Sequence, residues 1–447
     1  MSRERVRLGS NYRKLYAATA VSNIGDGMAA LAYPWLATAV TRNPLLVALV
    51  AAAGRLPWLL FTLPAGVITD RVDRRRAMVA TDAIRGVVTL FVAFAVLAEQ
   101  GTLPSPDELD AVVGTRVGLY LLLIVATLLL GCAEVLRDNC GQTFMPSIVA
   151  PEHLERANGR MWAAEAVSNT YIGPPLGSLF LVAAFSVPFF IDSASFLVSA
   201  ALLALIPGAF RAAAPDAATA ADRPGWRAEL AEGWRWLRAN RLLWSMAIIL
   251  GLMNMADNIS GAVFVLFAQD VLGTTPLMFT LLGFGGAFGG IVGSYVAPWM
   301  SRRFGSGTCL AIVLASTAVT QFVIGFLSSW LVVAAVFMVG ALLGSSWNVI
   351  TVSLRQTIIP PRLLGRVNSV YRFFAWGMIP IGATLGGAIV WAVERTSSRD
   401  TALRSVWWVS GVIHVGLFLA GLRLLSTDRL ERARTEGIAA LAAAEER

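Results

Sequence analysis

Charge is scarce in this chain. Of its 447 residues only 14% are charged, against about 25% in soluble domains, which excludes an ordinary water-soluble globule. Cysteine is scarce too: Cys132, Cys140 and Cys309 are odd in number, sit in or beside apolar stretches and lack metal-ligand spacing. That pattern excludes a disulfide framework and marks them as small buried hydrophobes. The two histidines, His153 and His414, stand apart in the sequence and give no metal site. No G-x-x-x-x-G-K-[ST] loop is present, which argues against an ATP-driven pump unless another subunit supplies the ATPase. No nucleophile–base pair or His/Glu constellation supports catalysis, so we expect neither an enzyme nor a cofactor. A cleavable signal peptide is not expected either, because "MSRERVRLGSNYRK" is basic and polar and the apolar stretch after it runs too long.

What the chain does have is apolar length. Hydrophobic residues make up 56% of it, with a mean hydropathy of +0.66. A helix needs about 20 mostly apolar residues to cross the hydrocarbon core. Such stretches fall near 13–40, 44–69, 77–99, 116–147, 156–184 and 187–209, then near 242–269, 276–300, 307–327, 330–357, 366–393 and 402–424. The expected architecture is an all-α polytopic membrane protein with twelve transmembrane helices. Its connections alternate in charge. The N-terminal segment, "DRVDRRR", "PEHLER", 210–241, "SRRFG", "PPRLLGR" and the C-terminal tail are arginine-rich, whereas "TRN", "EQGTLPSPDELDAVVGTR", "AFSV", "QDVLGTTP", "LSSW" and "ERTSSRD" are neutral or mixed. The positive-inside rule puts the first set, with both termini, in the cytoplasm of a cell-membrane protein. The net charge of +8 is then a topology signal, and no nucleic-acid partner is expected.

The segments divide into residues 1–209, a cytoplasmic linker 210–241, residues 242–425 and a cytoplasmic tail 426–447. The linker begins loose and turns amphipathic, with Trp226, Leu230, Trp234 and Leu237 on one helical face, a pattern that suits the membrane interface. The two large segments repeat one another. Pro151, Leu154, Arg156, Asn158 and Gly177 meet Pro361, Leu364, Arg366, Asn368 and Gly387, each displaced by 210 positions, and Asn23 to Asp26 meet Asn254 to Asp257, displaced by 231. Two pseudo-symmetric six-helix bundles with a pathway between them are the expected result.

Between the second and third apolar segments stands "GVITDRVDRRR". It resembles the loop motif G-x-x-x-D-R-x-G-R-R of the major facilitator superfamily: Gly66, Asp70, Arg71, Arg74 and Arg75 match, and Asp73 replaces the second glycine. The resemblance implies the major facilitator fold and a charge relay that acts as a cytoplasmic gate. Aspartate tolerates left-handed turns, so Asp73 could keep the glycine's geometry; positive-inside anchoring alone would explain the arginines but not the Gly/Asp spacing. A second stretch, "NTYIGPPLGS", is similar to the superfamily's antiporter motif, G-x-x-x-G-P-x-x-G-G, through Gly173, Pro174 and Gly177, with Asn169 and Ser178 in place of the outer glycines. In the family that motif goes with export. "NIGDGM", "AEVLRDNCGQT" and "LERANGR" most resemble its drug- and siderophore-exporting branch.

Ionisable groups at bilayer depth usually face a cavity or one another and serve function. Asp26, Arg55 and Glu134 share a depth of roughly 20 Å from the cytoplasmic surface. Glu134 and Asp138 share a helical face with Gln142, with Arg137 beside them. A carboxylate that exchanges an arginine partner for a proton could couple proton flow to transport, so Asp26 with Arg55, or Glu134, Arg137 and Asp138, are the candidates, with Glu165 and Asp257 behind them. The alternative for each is a permanently satisfied ion pair. Asp192 is expected near the outer surface in a structural role, and Trp35, Trp58, Trp162, Trp347 and Trp376 are candidates to line an apolar pocket. The expected function is secondary active export of amphipathic small molecules such as drug-like compounds, antibiotics or siderophores. Protons, the small-molecule substrate and the lipid bilayer would be its partners, with proton antiport, alternating access and a monomeric transporter that confers antibiotic resistance. An uptake permease of the same fold and a non-transporting sensor are the rivals.

Overall fold

A computed structural model describes residues 8–106, 108–211 and 226–445. The loose start of the linker, residues 212–225, and the side chains of Asp70 and Trp226 lie outside the described residues. Helices account for the regular structure, with no strand among the described residues. In order they are α1 (Gly9–Val40), α2 (Pro44–Leu60), α3 (Thr62–Arg71), α4 (Arg74–Glu99), α5 (Val117–Ile148), α6 (Leu154–Ala166), α7 (Gly173–Ala183) and α8 (Ser186–Ala204). There follow α9 (Trp226–Ala239), α10 (Arg241–Gly261), α11 (Phe264–Asp270), α12 (Pro276–Phe304), α13 (Ser306–Phe326), α14 (Trp330–Ile358), α15 (Pro361–Val393), α16 (Arg399–Leu424) and α17 (Thr427–Glu445).

Local chemistry explains several boundaries. Asn43 caps α2 by accepting from the Leu45 and Leu46 amides, with Pro44 set at the first helical position. Asn240 and Ser398 cap α10 and α16 in the same way. Among the described residues nine helices are long and apolar enough to cross a membrane, α10 and α11 counting as one. The expected twelve is therefore not reached by length and apolarity alone. The segment 13–40 forms the long α1, which is rich in small and polar residues; 44–69 breaks at Phe61 into α2 and α3; 156–184 is divided between α6 and α7.

The chain gathers into two compact units, residues 1–214 with 275–280, and residues 215–274 with 281–447. In the first unit α8 packs on both α1 and α4, and α5 lies against α4 and α2. Its core at the charged-loop end joins Tyr12, Leu15, Met78, Cys140, Phe144 and Leu203. In the second unit α10 packs on α15 and α16, and α13 on α16 and α14. The amphipathic α9 belongs to this unit and docks on α15. Arg366 reaches Glu229 at 2.7 Å and also pairs with Glu232, Trp234 stacks on Phe374 at 5.5 Å, and Leu237 is fully buried. Leu237 of its apolar face is thus covered by protein, while Trp234 keeps 37% of its surface exposed. Cys140 and Cys309 are buried as expected, while Cys132 is half-buried.

Candidate functional site

The first unit's charged residues meet where α1, α4, α5 and α8 come together. Asp26 on α1 accepts from Arg85 Nη2 at 2.5 Å. Arg85 is 5% exposed, lies with its guanidinium 3.9 Å above the Phe196 ring, and approaches Asp82 at 4.0 Å one turn earlier on α4. Asp82 is fully buried; it accepts from the Ser199 hydroxyl of α8 at 2.6 Å and faces Arg137 Nε of α5 at 3.5 Å. Arg137 also donates to Thr19 Oγ1 of α1 at 3.1 Å. Two carboxylates and two guanidiniums so compensate one another, the arrangement that makes buried charge tolerable in a bundle. The Asp26 side chain keeps 26% of its surface exposed and is the reachable member of the set.

This geometry revises the expected pairings. Arg55 is exposed and makes no ion pair with Asp26; Arg85 takes that place. Equal depth on two helices does not set the direction in which each side chain points, and α4 rather than α2 presents its cation to α1. Arg137 turns away from Glu134 and Asp138 towards Asp82 and Thr19. Glu134 is exposed, Asp138 accepts from Gln142 at 2.9 Å as their spacing suggested, and Glu165 is half-buried. Asp192 is 1% exposed on α8, with Oδ1 lacking a hydrogen bond and lying where a side chain at Gly25 would stand. The residues missed in the sequence are Asp82 and Arg85. Two ionisable groups three apart inside an apolar span were the available signal.

The small-residue motif meets α1 beside Asp26. A methyl group at Gly173 would fall 2.6 Å from Gly27 Cα and 2.7 Å from the Ile24 carbonyl oxygen, and one at Gly177 would fall 2.9 Å from the Met28 carbonyl oxygen. Backbone touches backbone there, which only glycine permits. Pro174 and Pro175 lack the amides that would close the preceding turn. Residues Val167–Ile172 accordingly form a π-helical turn, and the Gly173 amide bonds back to Ser168 O. Asn169 within that turn donates to Asn23 of α1 at 3.3 Å.

The second unit repeats the contact. Gly382 and Gly386 of α15 abut the carbonyls of Met255 and Ile259 on α10, the residues that answer to Ile24 and Met28. Gly177 therefore corresponds to Gly386 rather than Gly387. The π turn holds one extra residue in the first half, and α15 runs through the equivalent place unbroken. Asp257, the counterpart of Asp26, accepts from Gln321 Nε2 of α13 at 3.0 Å and faces His414 Nε2 of α16 at 3.4 Å.

The charged loop is built differently from the expectation for Asp73. Its φ is −69° and ψ 115°, so no left-handed turn occurs. Instead it caps α4, accepting from the amides of Arg76 at 2.9 Å and Phe210 at 2.6 Å. Partial burial acts against the charge, yet those two amides hold the Asp73 carboxyl below its ordinary value. Arg74 donates to Thr143 O in the last two turns of α5 at 3.2 Å, and Arg75 to Ile206 O just beyond α8, cations placed towards helix C-termini, where the helix dipole favours positive charge. Arg71 is exposed, and its carbonyl accepts from Arg211 at 3.1 Å; Gly66 lies on α3 with open space around it. The tryptophans separate: Trp35 and Trp347 are buried in their own units, whereas Trp162 and Trp376 are exposed.

Comparison with known proteins agrees with this architecture. Residues 15–381 match the model of the Major Facilitator Superfamily. The "Multidrug efflux pump Tap" of Mycobacterium tuberculosis is 26% identical over 379 residues, covering 83% of this chain and 85% of that protein. Its namesake in Mycolicibacterium fortuitum is 25% identical over 389 residues, covering 84% and 88%. Among solved structures, a bacterial homologue of the iron transporter ferroportin superposes with a TM-score of 0.71 at 16% identity, covering 94% of this chain and 100% of that one. The nucleoside transporter NupG gives 0.66 at 11% identity, covering 93% and 99%.

Proposed function

The chain belongs to the Major Facilitator Superfamily, and from that premise we propose that this transporter exports amphipathic small molecules (drug-like compounds, antibiotics or siderophores) by proton antiport through alternating access. The observation that carries the reading is the Asp26–Arg85 pair, in which a partly exposed carboxylate is held by a buried guanidinium at 2.5 Å. Protonation of Asp26 removes its charge and releases Arg85 from it; deprotonation restores the pair. The difference between those two states supplies a local free energy that can bias one conformation over another. The close contact of α7 with α1 at Gly27 and Gly173 puts a backbone junction one residue from that carboxylate, so a change at Asp26 is felt by both helices. Export rather than uptake is favoured by the Gly173, Pro174 and Gly177 motif and by the efflux pumps among the similar proteins.

A susceptibility screen of an efflux-deficient host, with and without this protein, should reveal raised tolerance to at least one amphipathic compound. No change across the panel, with protein present in the membrane, speaks for the sensor reading. With a compound in hand, liposomes under an imposed pH gradient test the coupling. Asp26→Asn should abolish movement against the gradient while leaving downhill movement intact, because the amide mimics the protonated acid at nearly equal volume. Full concentrative transport by the variant would return Asp26 to a structural ion pair, leaving Glu134, Asp138, Glu165 and Asp257 to be tested.

The gate role of the loop belongs to the same reading. Gly66, Asp70, Arg71, Arg74 and Arg75 carry the motif, and Arg74 and Arg75 tie it to the ends of α5 and α8. In the same liposomes Asp70→Asn should slow transport with insertion unchanged; wild-type rates would leave only membrane anchoring. Residence in the cell membrane with both termini cytoplasmic follows from the arginine distribution. Reporter fusions should read inside at both ends, and an outside signal at either would overturn that orientation.

A further inference from the structure

His414 looks isolated in the sequence but is not so in the fold. It lies on α16, fully buried, against the helix that carries Asp257. Its Nδ1 is 2.9 Å from the Ser410 carbonyl oxygen and 3.5 Å from Ser410 Oγ. A carbonyl oxygen only accepts. The Ser410 hydroxyl spends its hydrogen on Ala256 O at 2.7 Å, so towards His414 it too presents a lone pair. Both neighbours of Nδ1 are acceptors, and Nδ1 must therefore carry a proton.

That assignment decides the other ring nitrogen. In a neutral imidazole with Nδ1–H, Nε2 is a bare acceptor. Here Nε2 is buried without a hydrogen bond, and Asp257 Oδ1 stands 3.4 Å from it. A bare nitrogen against an ionised carboxylate would set two lone pairs face to face, with Nε2 itself closed off from water. One further proton removes the conflict, on Nε2 as imidazolium or on Asp257 as the neutral acid. Gln321 Nε2 donates to the same Asp257 oxygen at 3.0 Å, and the Ser260 hydroxyl lies 3.3 Å from the Gln321 oxygen, which fixes the carboxylate against α13.

We infer that Asp257 and His414 together form a proton-binding site of the second unit, holding one exchangeable proton between them. The Asp257 side chain is 43% exposed and is the port through which the buried ring loads and unloads. The helices packed on α16 are α10, α11, α13 and α15. Among their described residues Asp257 is the one charged group in ion-pair range of His414. Arg399, which pairs with Asp270 and Glu394, and Arg404, which pairs with Asp400, lie ten or more residues away along α16, about 15 Å or more. With the proton the couple is neutral; without it the couple carries one negative charge. The position matches the first unit, where the equivalent Asp26 is met from α4 by a permanent cation, Arg85. The second unit thus has a titratable partner where the first has a fixed one. The site deepens the antiport reading and rests on it only for what drives the proton off.

The chain has two histidines, so His153→Gln leaves a single imidazole. That protein, labelled with 15N-histidine and reconstituted in lipid, reports each ring nitrogen separately. We expect Nδ1 to stay protonated throughout a pH series, and Nε2 to change in a single-proton step. In the added Asp257→Asn background the step should vanish or move by about one pH unit or more. A neutral ring protonated at Nε2 and bare at Nδ1 overturns the inference without any variant at the site, and so does a step unaltered by Asp257→Asn. A coupled step in a protein that exports no compound of the susceptibility panel leaves the proton site standing and removes the efflux reading. Efflux without the step does the reverse.

Discussion

Arg85→Ala should cost about 3–5 kcal/mol of stability, because it strands the Asp26 carboxylate in the bundle without its cation. The ring of Phe196 also loses the guanidinium lying 3.9 Å above it. The readout is the thermal midpoint of purified protein in detergent, expected to fall by roughly 5–10 °C. Arg85→Met with Asp26→Asn should recover most of that loss, since Asp82 keeps Arg137 at 3.5 Å and the Ser199 hydroxyl at 2.6 Å. Arg55→Ala, at an exposed position, should leave the midpoint within error. An unchanged midpoint in Arg85→Ala, or a double variant less stable than the single one, would contradict the compensated network. The comparison of Arg85 with Arg55 also decides which cation serves Asp26.

Gly173→Val should be at least as damaging, for a steric rather than an electrostatic reason. A Cβ there meets Gly27 Cα at 2.6 Å and Gly27 C at 2.8 Å. Backbone cannot swing aside as a side-chain tip can, so α7 must move away from α1. Overpacking of this kind costs about 1–3 kcal/mol, and more where main chain is struck. We expect poor yield of folded protein and a broadened size-exclusion profile, with Gly173→Ala milder in both. Gly66→Ala and Gly159→Ala are the controls, because nothing lies within 4 Å of a Cβ at either position; both should fold as the parent does. Wild-type behaviour of Gly173→Val would show that the α1–α7 contact is looser than its geometry.

The two halves illustrate how far a sequence repeat can be read. A displacement of 231 positions paired Asp26 with Asp257, and one of 210 paired Gly177 with Gly387. The first pairing holds in the packing of α1 and α10. The second slips by one residue, because the π turn Val167–Ile172 absorbs an extra position that no side-chain match reveals. Pro174 and Pro175 were the visible cause. Their effect on register depends on which carbonyls find other partners, and that is settled in three dimensions.

The sequence alone determined the all-α membrane architecture, the approximate helix limits, the arginine-rich loops and the membership read from two motifs. Each of these depends on neighbours along the chain: apolar length, caps such as Asn43 and Asn240, breaks at proline, and spacing within about ten residues. Tertiary structure decided the partners. Asp26 takes Arg85 and not Arg55, Arg137 takes Asp82 and not Glu134, and His414 takes Asp257. Depth in a helix follows from residue number at about 1.5 Å each. The direction a side chain faces towards another helix follows from how α1, α4, α5 and α8, or α10, α13 and α16, rotate to bury their apolar and small-residue faces. That rotation is a property of the packed bundle, and the chemistry of its charges comes from it.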